Sequence, residues 1–263
     1  MTIDGKKIAE EIYTELSEFF KTRNATLGII VAGVDPVIEQ FVRIKTRAAE
    51  RLGITMHRVD LVASATTADV IAAVETMKQT VDALIVQLPL PPSVDTNAAL
   101  SSIPADKDVD AINPRHSSEH LVQAPVALAA VHMLKQNNIE IAGKRAVVIG
   151  AGRLVGAPSA ELLRELGANV SLFTLQEGSI ADLKDADIIV SGAGKPGLIK
   201  PEHLKQGVAL IDAGASEQAG KVKGDADPAC AEVASIFTPV PGGVGPVAVA
   251  MIFKNLKRLI ELQ

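Results

Sequence analysis

The stretch Val81-Asp82-Ala83-Leu84-Ile85-Val86-Gln87-Leu88-Pro89-Leu90-Pro91-Pro92 decides how the chain folds. It begins as an apolar run with no polar alternation, the composition of a strand buried on both faces of a parallel sheet. Pro89 has no backbone N–H and cannot continue a central strand, so the strand stops before it. Gln87, the polar side chain between the apolar run and the prolines, therefore falls at the strand's carboxyl end. Open α/β sheets hold their ligands at that edge. A glutamine that only caps a strand edge fits the same position.

Working outward, residues 26–32 (TLGIIVA) read as a second buried strand that ends at Gly33. Asp35-Pro36 opens a helix, with a capping side chain followed by proline in the first turn. This helix runs through Phe41, Lys45 and Ala49 to Leu52, and Gly53 ends it. Phe41 and Lys45 are four residues apart and share one helix face. Residues 54–61 form a strand, 67–79 a helix, and 3–21 a helix striped by Ile8, Ile12 and Leu16. Strands and helices in this alternation predict βαβ units with right-handed crossovers.

A second set follows a polar stretch at 117–124, where the domain boundary is expected. Strands are predicted at 144–149, 169–173, 187–190 and 208–213, with helices at 126–136, 155–166 and 246–262. The fold class is thus α/β in two domains, which a length of 263 residues allows.

Composition narrows the function. A formal net charge of -5 argues against a general nucleic-acid binder, and 3% aromatic residues leave little for base stacking. No apolar run reaches the ~20 residues that span a bilayer. Residues 1–18 carry charges at every turn, unlike a signal peptide. A single cysteine, Cys230, excludes an internal disulfide and suits a reducing compartment. The cytoplasm, with no membrane or nucleic-acid partner, is the expected setting.

Three stretches carry candidate chemistry. Gly150-Ala151-Gly152-Arg153-Leu154-Val155-Gly156 joins a strand to a helix, one residue longer than the usual dinucleotide fingerprint. Glycines there let the backbone approach a pyrophosphate at the positive helix end, although a tight packing turn needs small residues too. The next strand ends in Phe173-Thr174-Leu175-Gln176-Glu177, where Glu177 is the acid nearest to a ribose. Lys45 reads as a catalytic amine if aliphatic neighbours desolvate it, or as a surface lysine beside Arg43 and Arg47. The charged run Asp106-Lys107-Asp108-Val109-Asp110 has the composition of a solvated loop. Histidines at 57, 116, 120, 132 and 203 are scattered and no paired cysteines exist, so no metal is expected. The absence of a G-x-S-x-G elbow speaks against a serine hydrolase.

Taken together, several segments resemble the methylenetetrahydrofolate dehydrogenase/methenyltetrahydrofolate cyclohydrolases. They are Ile3-Asp4-Gly5-Lys6, Phe41-Val42-Arg43-Ile44-Lys45, residues 85–91 (IVQLPLP) and 106–110 (DKDVD), then Val155-Gly156-Ala157-Pro158, residues 194–199 (GKPGLI) and 238–246 (TPVPGGVGP). They stand in the family's order and span essentially the whole chain. The resemblance implies two domains flanking a cleft. One is an N-terminal three-layer α/β domain (1–120 plus 246–263); the other is a Rossmann-like nucleotide domain (121–245). It further implies a homodimer, folate as substrate, and NAD or NADP as cofactor.

By the same resemblance Lys45 is the catalytic base or proton shuttle, Gln87 positions it and Asp110 holds the pterin. Phe41, Leu88 and Pro89 border the folate, as do Pro239, Pro241, Gly242 and Gly243. The cofactor falls to the turn Gly150, Ala151, Gly152, Arg153, Leu154 and Val155, with Thr174, the loop Gly192, Ala193 and Gly194, and Asp212. The chain also departs from the family's pattern. Phe41 stands where members carry a tyrosine. Ala151 and Gly152 replace the arginine that binds the 2′-phosphate of NADP and the serine after it. Ala124-Pro125-Val126-Ala127 and Phe173-Thr174-Leu175-Gln176 replace a Pro-Cys-Thr-Pro and a Cys-His-Ser-Arg run. These changes imply NAD over NADP, or poor use of either, and a weakened hydrolytic step. They also fit a relative that binds folate or dinucleotide without turnover.

Overall fold

The computed structural model of the chain describes residues 1–33, 35–116, 121–174, 180–218 and 221–263. In chain order the regular elements are α1 (Gly5–Phe20), β1 (Thr26–Ala32), α2 (Pro36–Arg51), β2 (Thr55–Leu61), α3 (Thr67–Met77), β3 (Ala83–Val86), α4 (Thr96–Leu100) and α5 (Pro125–Gln136). Then follow β4 (Arg145–Ile149), α6 (Gly156–Glu165), β5 (Asn169–Phe173), β6 (Ile188–Ser191), β7 (Ala209–Asp212), β8 (Ser216–Gln218), β9 (Lys221–Lys223), β10 (Ile236–Phe237) and α7 (Val244–Leu262). Packing divides them into two units, Glu11–Gln123 with Ile252–Gln263, and Met1–Glu10 with Ala124–Met251.

The unit that holds most of the N-terminal half is built on a parallel sheet ordered β2-β1-β3. β3 is buried at all four positions, as its unbroken apolar run requires. It pairs with β1 in the register Leu27↔Ala83 to Ile30↔Val86. Its other edge is not left open. The Leu84 amide donates to the carbonyl of Lys107 at 2.9 Å, and Leu84 bridges Asp108. The charged run therefore docks along a buried strand, where its composition suggests a solvated loop. Val70, Val74 and Met77 of α3 pack with Ile30, Leu84 and Val86 in the core beneath.

α2 starts where its sequence dictates. The Asp35 carboxylate accepts from the Val37 and Ile38 amides at 2.7 and 3.2 Å, and Pro36 occupies the first turn. Ile38, Val42, Ala48 and Ala49 turn inward, which leaves Phe41 47% exposed and Lys45 half-buried.

The other unit contains a five-stranded parallel sheet ordered β10-β7-β6-β4-β5. The chain leaves β4 toward β5 and then returns to add β6 on β4's opposite side, so strand order reverses between β4 and β6. A doubly wound sheet opens its ligand crevice at that reversal, beyond the carboxyl ends of the strands. Ile149 and Ser191 are register partners there. The sequence reading misses β10 and the antiparallel pair β8-β9, because elements of two or three residues show no periodicity. Among the described residues no helix is long and apolar enough to cross a membrane.

Candidate functional site

The two elements that flank Lys45 and Gln87 bring these side chains together. Lys45 Nζ donates to Gln87 Oε1 at 2.8 Å, joining the middle of α2 to the residue just past β3. The glutamine cannot turn its amide the other way without loss. Its Nε2 donates to the Leu88 carbonyl at 2.7 Å, and its backbone amide donates to Ile30 O at 2.9 Å. At 7% exposure, Gln87 has little access to water as a substitute partner. Leu88 and Pro89 follow directly, through a cis peptide bond.

Burial pulls the Lys45 amine below the ordinary lysine range, and the charge of Asp110 opposes that pull. Burial pushes the Asp110 carboxyl up, and Lys45 opposes this in turn. The outcome is an amine more easily deprotonated than a surface lysine, facing a carboxamide oxygen and sensing an acid. That is the equipment of a proton shuttle.

The loop that carries Asp110 is held at several points. Asp108 Oδ2 accepts from the Ile112 and Asn113 amides, both at 2.8 Å. Asn255 of α7 donates through Nδ2 to the carbonyls of Val109 and Gln123 at 2.9 and 2.8 Å. Lys107 Nζ donates to Val81 O at 2.8 Å. Asp108 and Asn255 escape sequence reasoning. The D-x-D alternation gives a weak hint for Asp108, and nothing local marks Asn255.

Burial, first, and the Asp110 charge push the Asp108 carboxyl up to about 7, against the pull of the backbone amides. Among the described residues its buried Oδ1 has no hydrogen-bond partner. The folded chain therefore holds a proton that the unfolded chain, with an ordinary value of 3.8, releases. The stability this group contributes is complete below the unfolded value and is lost as pH rises through about 7. In Asp108→Asn the amide oxygen still accepts from Ile112 and Asn113, while the titration disappears. Urea unfolding at pH 5 and pH 8 should show the wild type losing up to roughly 2.5 kcal/mol more than the variant, the rest of the effect falling below pH 5. Parallel pH dependences in the two proteins would refute this assignment.

In the other unit, Gly150 and Gly156 explain each other. A Cβ on Gly156 would lie 1.6 Å from the Gly150 carbonyl oxygen, so the start of α6 presses on the turn after β4. Val155, at the cap position of α6, makes no side-chain capping bond, and the Ala157 amide of the first turn donates to the Gly152 carbonyl at 3.1 Å. Ala151, Gly152, Arg153 and Leu154 are exposed around it. A Cβ on Gly150 would sit 2.7 Å from Gly192 O, which brings the loop after β6 against the same turn. The Gly150 amide donates to Phe173 O at 2.9 Å, next to Thr174. A glycine turn packed against the start of α6 and a strand-order reversal fit a dinucleotide's pyrophosphate.

Asp212 lies at the end of β7 and is 1% exposed, its oxygens accepting from the amides of Gly214, Asp225 and Ala226. Pro239 to Gly243 form a turn closed by the Gly243 amide on Pro239 O at 2.8 Å, and the Gly5 amide donates to Gly242 O at 3.0 Å. Glu177 and its neighbours 175–179, like residues 117–120 of the expected boundary, lie outside the described residues. Among the described residues, no three His, Cys, Asp or Glu side chains are grouped to hold a metal.

Comparison with known proteins bears on both units. A model of the tetrahydrofolate dehydrogenase/cyclohydrolase catalytic domain matches residues 3–110, and one of the NAD(P)-binding domain of the same family matches residues 124–263. The chain belongs to the tetrahydrofolate dehydrogenase/cyclohydrolase family. The bifunctional protein FolD of Halothermothrix orenii is 38% identical, over 96% of this chain and 95% of that protein. FolD of Staphylococcus aureus is 37% identical, over 96% and 94%. Among solved structures, the bifunctional FolD methylenetetrahydrofolate dehydrogenase/cyclohydrolase of Campylobacter jejuni superposes with a TM-score of 0.94. It is 32% identical and covers 100% of this chain and 99% of its own. The Trypanosoma brucei enzyme, complexed with NADP and an inhibitor, gives 0.92 at 33% identity, covering 100% and 97%. This family member thus has the two-domain α/β fold and a domain of the NAD(P)-binding type.

Proposed function

We propose that the chain oxidises 5,10-methylenetetrahydrofolate and hydrolyses the methenyl product to 10-formyltetrahydrofolate, the second step being the weaker. The observation that carries this reading is the Lys45–Gln87 hydrogen bond of 2.8 Å, with Asp110 charge-coupled to the lysine. We assign folate to residues 1–120 plus 246–263 and the dinucleotide to 121–245. Phe41, Leu88 and Pro89 line the folate in this proposal. Gly150 to Val155, Thr174, Gly192 to Gly194 and Asp212 form the dinucleotide site. A cytoplasmic homodimer belongs to the same proposal.

NAD or NADP, when bound, accepts the hydride. Loss of hydride from the methylene carbon leaves a cation spread over two folate nitrogens, so no proton has to move. The protein's part in that step is to hold the reacting groups in line and exclude water. Hydrolysis of the cation needs more. Lys45, made easier to deprotonate by burial, takes a proton from the water as its oxygen bonds to the methenyl carbon, and returns it to the folate nitrogen as that carbon–nitrogen bond breaks; the water's second proton leaves to solvent as the formyl C=O forms. The Gln87 oxygen holds the amine in place, and Asp110 anchors the pterin. Phe41 offers no hydroxyl to assist Lys45, and this is why hydrolysis is the weaker step.

Two assays on the purified protein test the proposal, one at the absorbance of the reduced cofactor and one at that of methenyl-folate. Turnover in the first should exceed that in the second. Ligand binding without turnover in either would favour the alternative of a relative that only binds. With Ala151 and Gly152 offering no side chain to a 2′-phosphate, NAD should bind more tightly than NADP. The loss of one charge-assisted contact is worth about 1.5–3 kcal/mol, or roughly 10–100-fold. A strong NADP preference would refute that part.

A further inference from the structure

Asp225 was not singled out by any motif, yet it is fully buried and its carboxyl group gathers three donors from one loop. Its Oδ2 accepts from Ser191 Oγ at 2.6 Å and from the Ala193 amide at 2.7 Å; its Oδ1 accepts from the Lys195 amide at 2.6 Å. All three donors belong to the end of β6 and the loop after it, 30 to 34 residues earlier in the chain. Loops of this kind usually leave their amides to water. Here alternate amides of a loop at the sheet's ligand edge converge on one side chain.

Asp212 sets the direction of that side chain. Its Oδ1 accepts from the Asp225 amide at 3.1 Å and its Oδ2 from the Ala226 amide at 2.8 Å. Two glycines make room for the pair. A Cβ on Gly214 would lie 2.3 Å from the Asp225 carboxyl carbon, and one on Gly224 would lie 2.1 Å from Asp212 Oδ2. The loops after β6 and β7 are thus tied through two interlocked acids, with no space for larger neighbours. The loop after β6 also leans on the glycine turn after β4: a Cβ on Gly192 would meet Val155 Cγ1 at 2.3 Å. Where Gly192 to Lys195 sit therefore sets one wall of the turn that fits a pyrophosphate.

We propose that Asp225 is a positioning residue for the dinucleotide, holding the loop 192–195 in its binding geometry before the cofactor arrives. It touches no ligand itself; it removes the cost of ordering the loop on binding. This role rests on the dinucleotide reading above and goes beyond it by naming what organises the site.

The test compares Asp225→Asn and Ser191→Ala with the wild type, by calorimetric titration of NAD and of tetrahydrofolate and by steady-state kinetics. In Asp225→Asn an amide N–H₂ must face at least one of the loop's own donors, so one or two hydrogen bonds are lost. The dinucleotide Kd and KM should rise ~10-fold or more, and ~3-fold in Ser191→Ala, which loses one donor alone. Tetrahydrofolate affinity should stay at the wild-type value, and kcat at saturating dinucleotide should hold within about 2-fold. Unchanged dinucleotide affinity in the variants overturns the proposal. So does an equal loss of affinity for both ligands, which marks general loosening of the fold. If Asp225→Asn does not fold, Ser191→Ala decides by the same criteria. A wild type that binds neither NAD nor NADP sinks the dinucleotide reading and this proposal with it; a binding wild type with unaffected variants sinks the positioning role alone.

Discussion

Replacement of Lys45 by methionine should cut methenyl hydrolysis by about 10²–10⁴-fold, the usual worth of a general acid–base group. Hydride transfer should fall by no more than ~10-fold, since it depends on positioning and moves no proton. Methionine keeps the length and most of the volume of lysine while removing the amine. Gln87 Oε1 then loses its donor in a place only 7% exposed, which costs about 1–3 kcal/mol of stability. Unfolding midpoints measured alongside the two rates separate this loss from the catalytic one. If both rates fall by the same factor, the lysine acts in binding or folding and the proton-shuttle role is wrong.

The second large effect belongs to the other unit. Gly156→Ala should weaken NAD binding by roughly 10–100-fold, the equivalent of 1–3 kcal/mol of overpacking. The added methyl carbon would stand 1.6 Å from the Gly150 oxygen, which is backbone and has no rotamer to escape by. Either the turn opens or α6 shifts, and both spoil the close approach that a pyrophosphate needs. Gly152→Ala supplies the contrast, because its Cβ would meet nothing within 4 Å. Thermal unfolding should place Gly152→Ala near the wild type and Gly156→Ala well below it. Similar unfolding temperatures and similar NAD affinities in the two variants would refute the close-packing account.

The parts of the molecule legible from the residues were those with local causes. The apolar run before Gln87, the Asp35-Pro36 opening of α2 and the glycine turn at 150–156 each announce their geometry within a few positions. Lys45 was half legible: spacing put it on a helix face with Phe41, but only the fold shows that the face meets Gln87. The buried acids were not legible. Asp108 and Asp225 look like any surface aspartate, because what makes burial tolerable is a set of backbone amides brought in from elsewhere in the chain. The run 106–110 was misleading for the same reason. Its charges suggest water, whereas its backbone completes the edge of β3.

Asn255 also fixes an order of events during protein synthesis. Its amide reaches Val109, 146 positions earlier, and Gln123, 132 positions earlier. At typical translation speeds of about 5–20 residues per second, the carbonyl of Val109 waits roughly 7–30 s for its donor. Asp110, next to Val109, therefore emerges from the ribosome long before the side chain that braces its loop, and that bracing is complete only after the late arrival of Asn255.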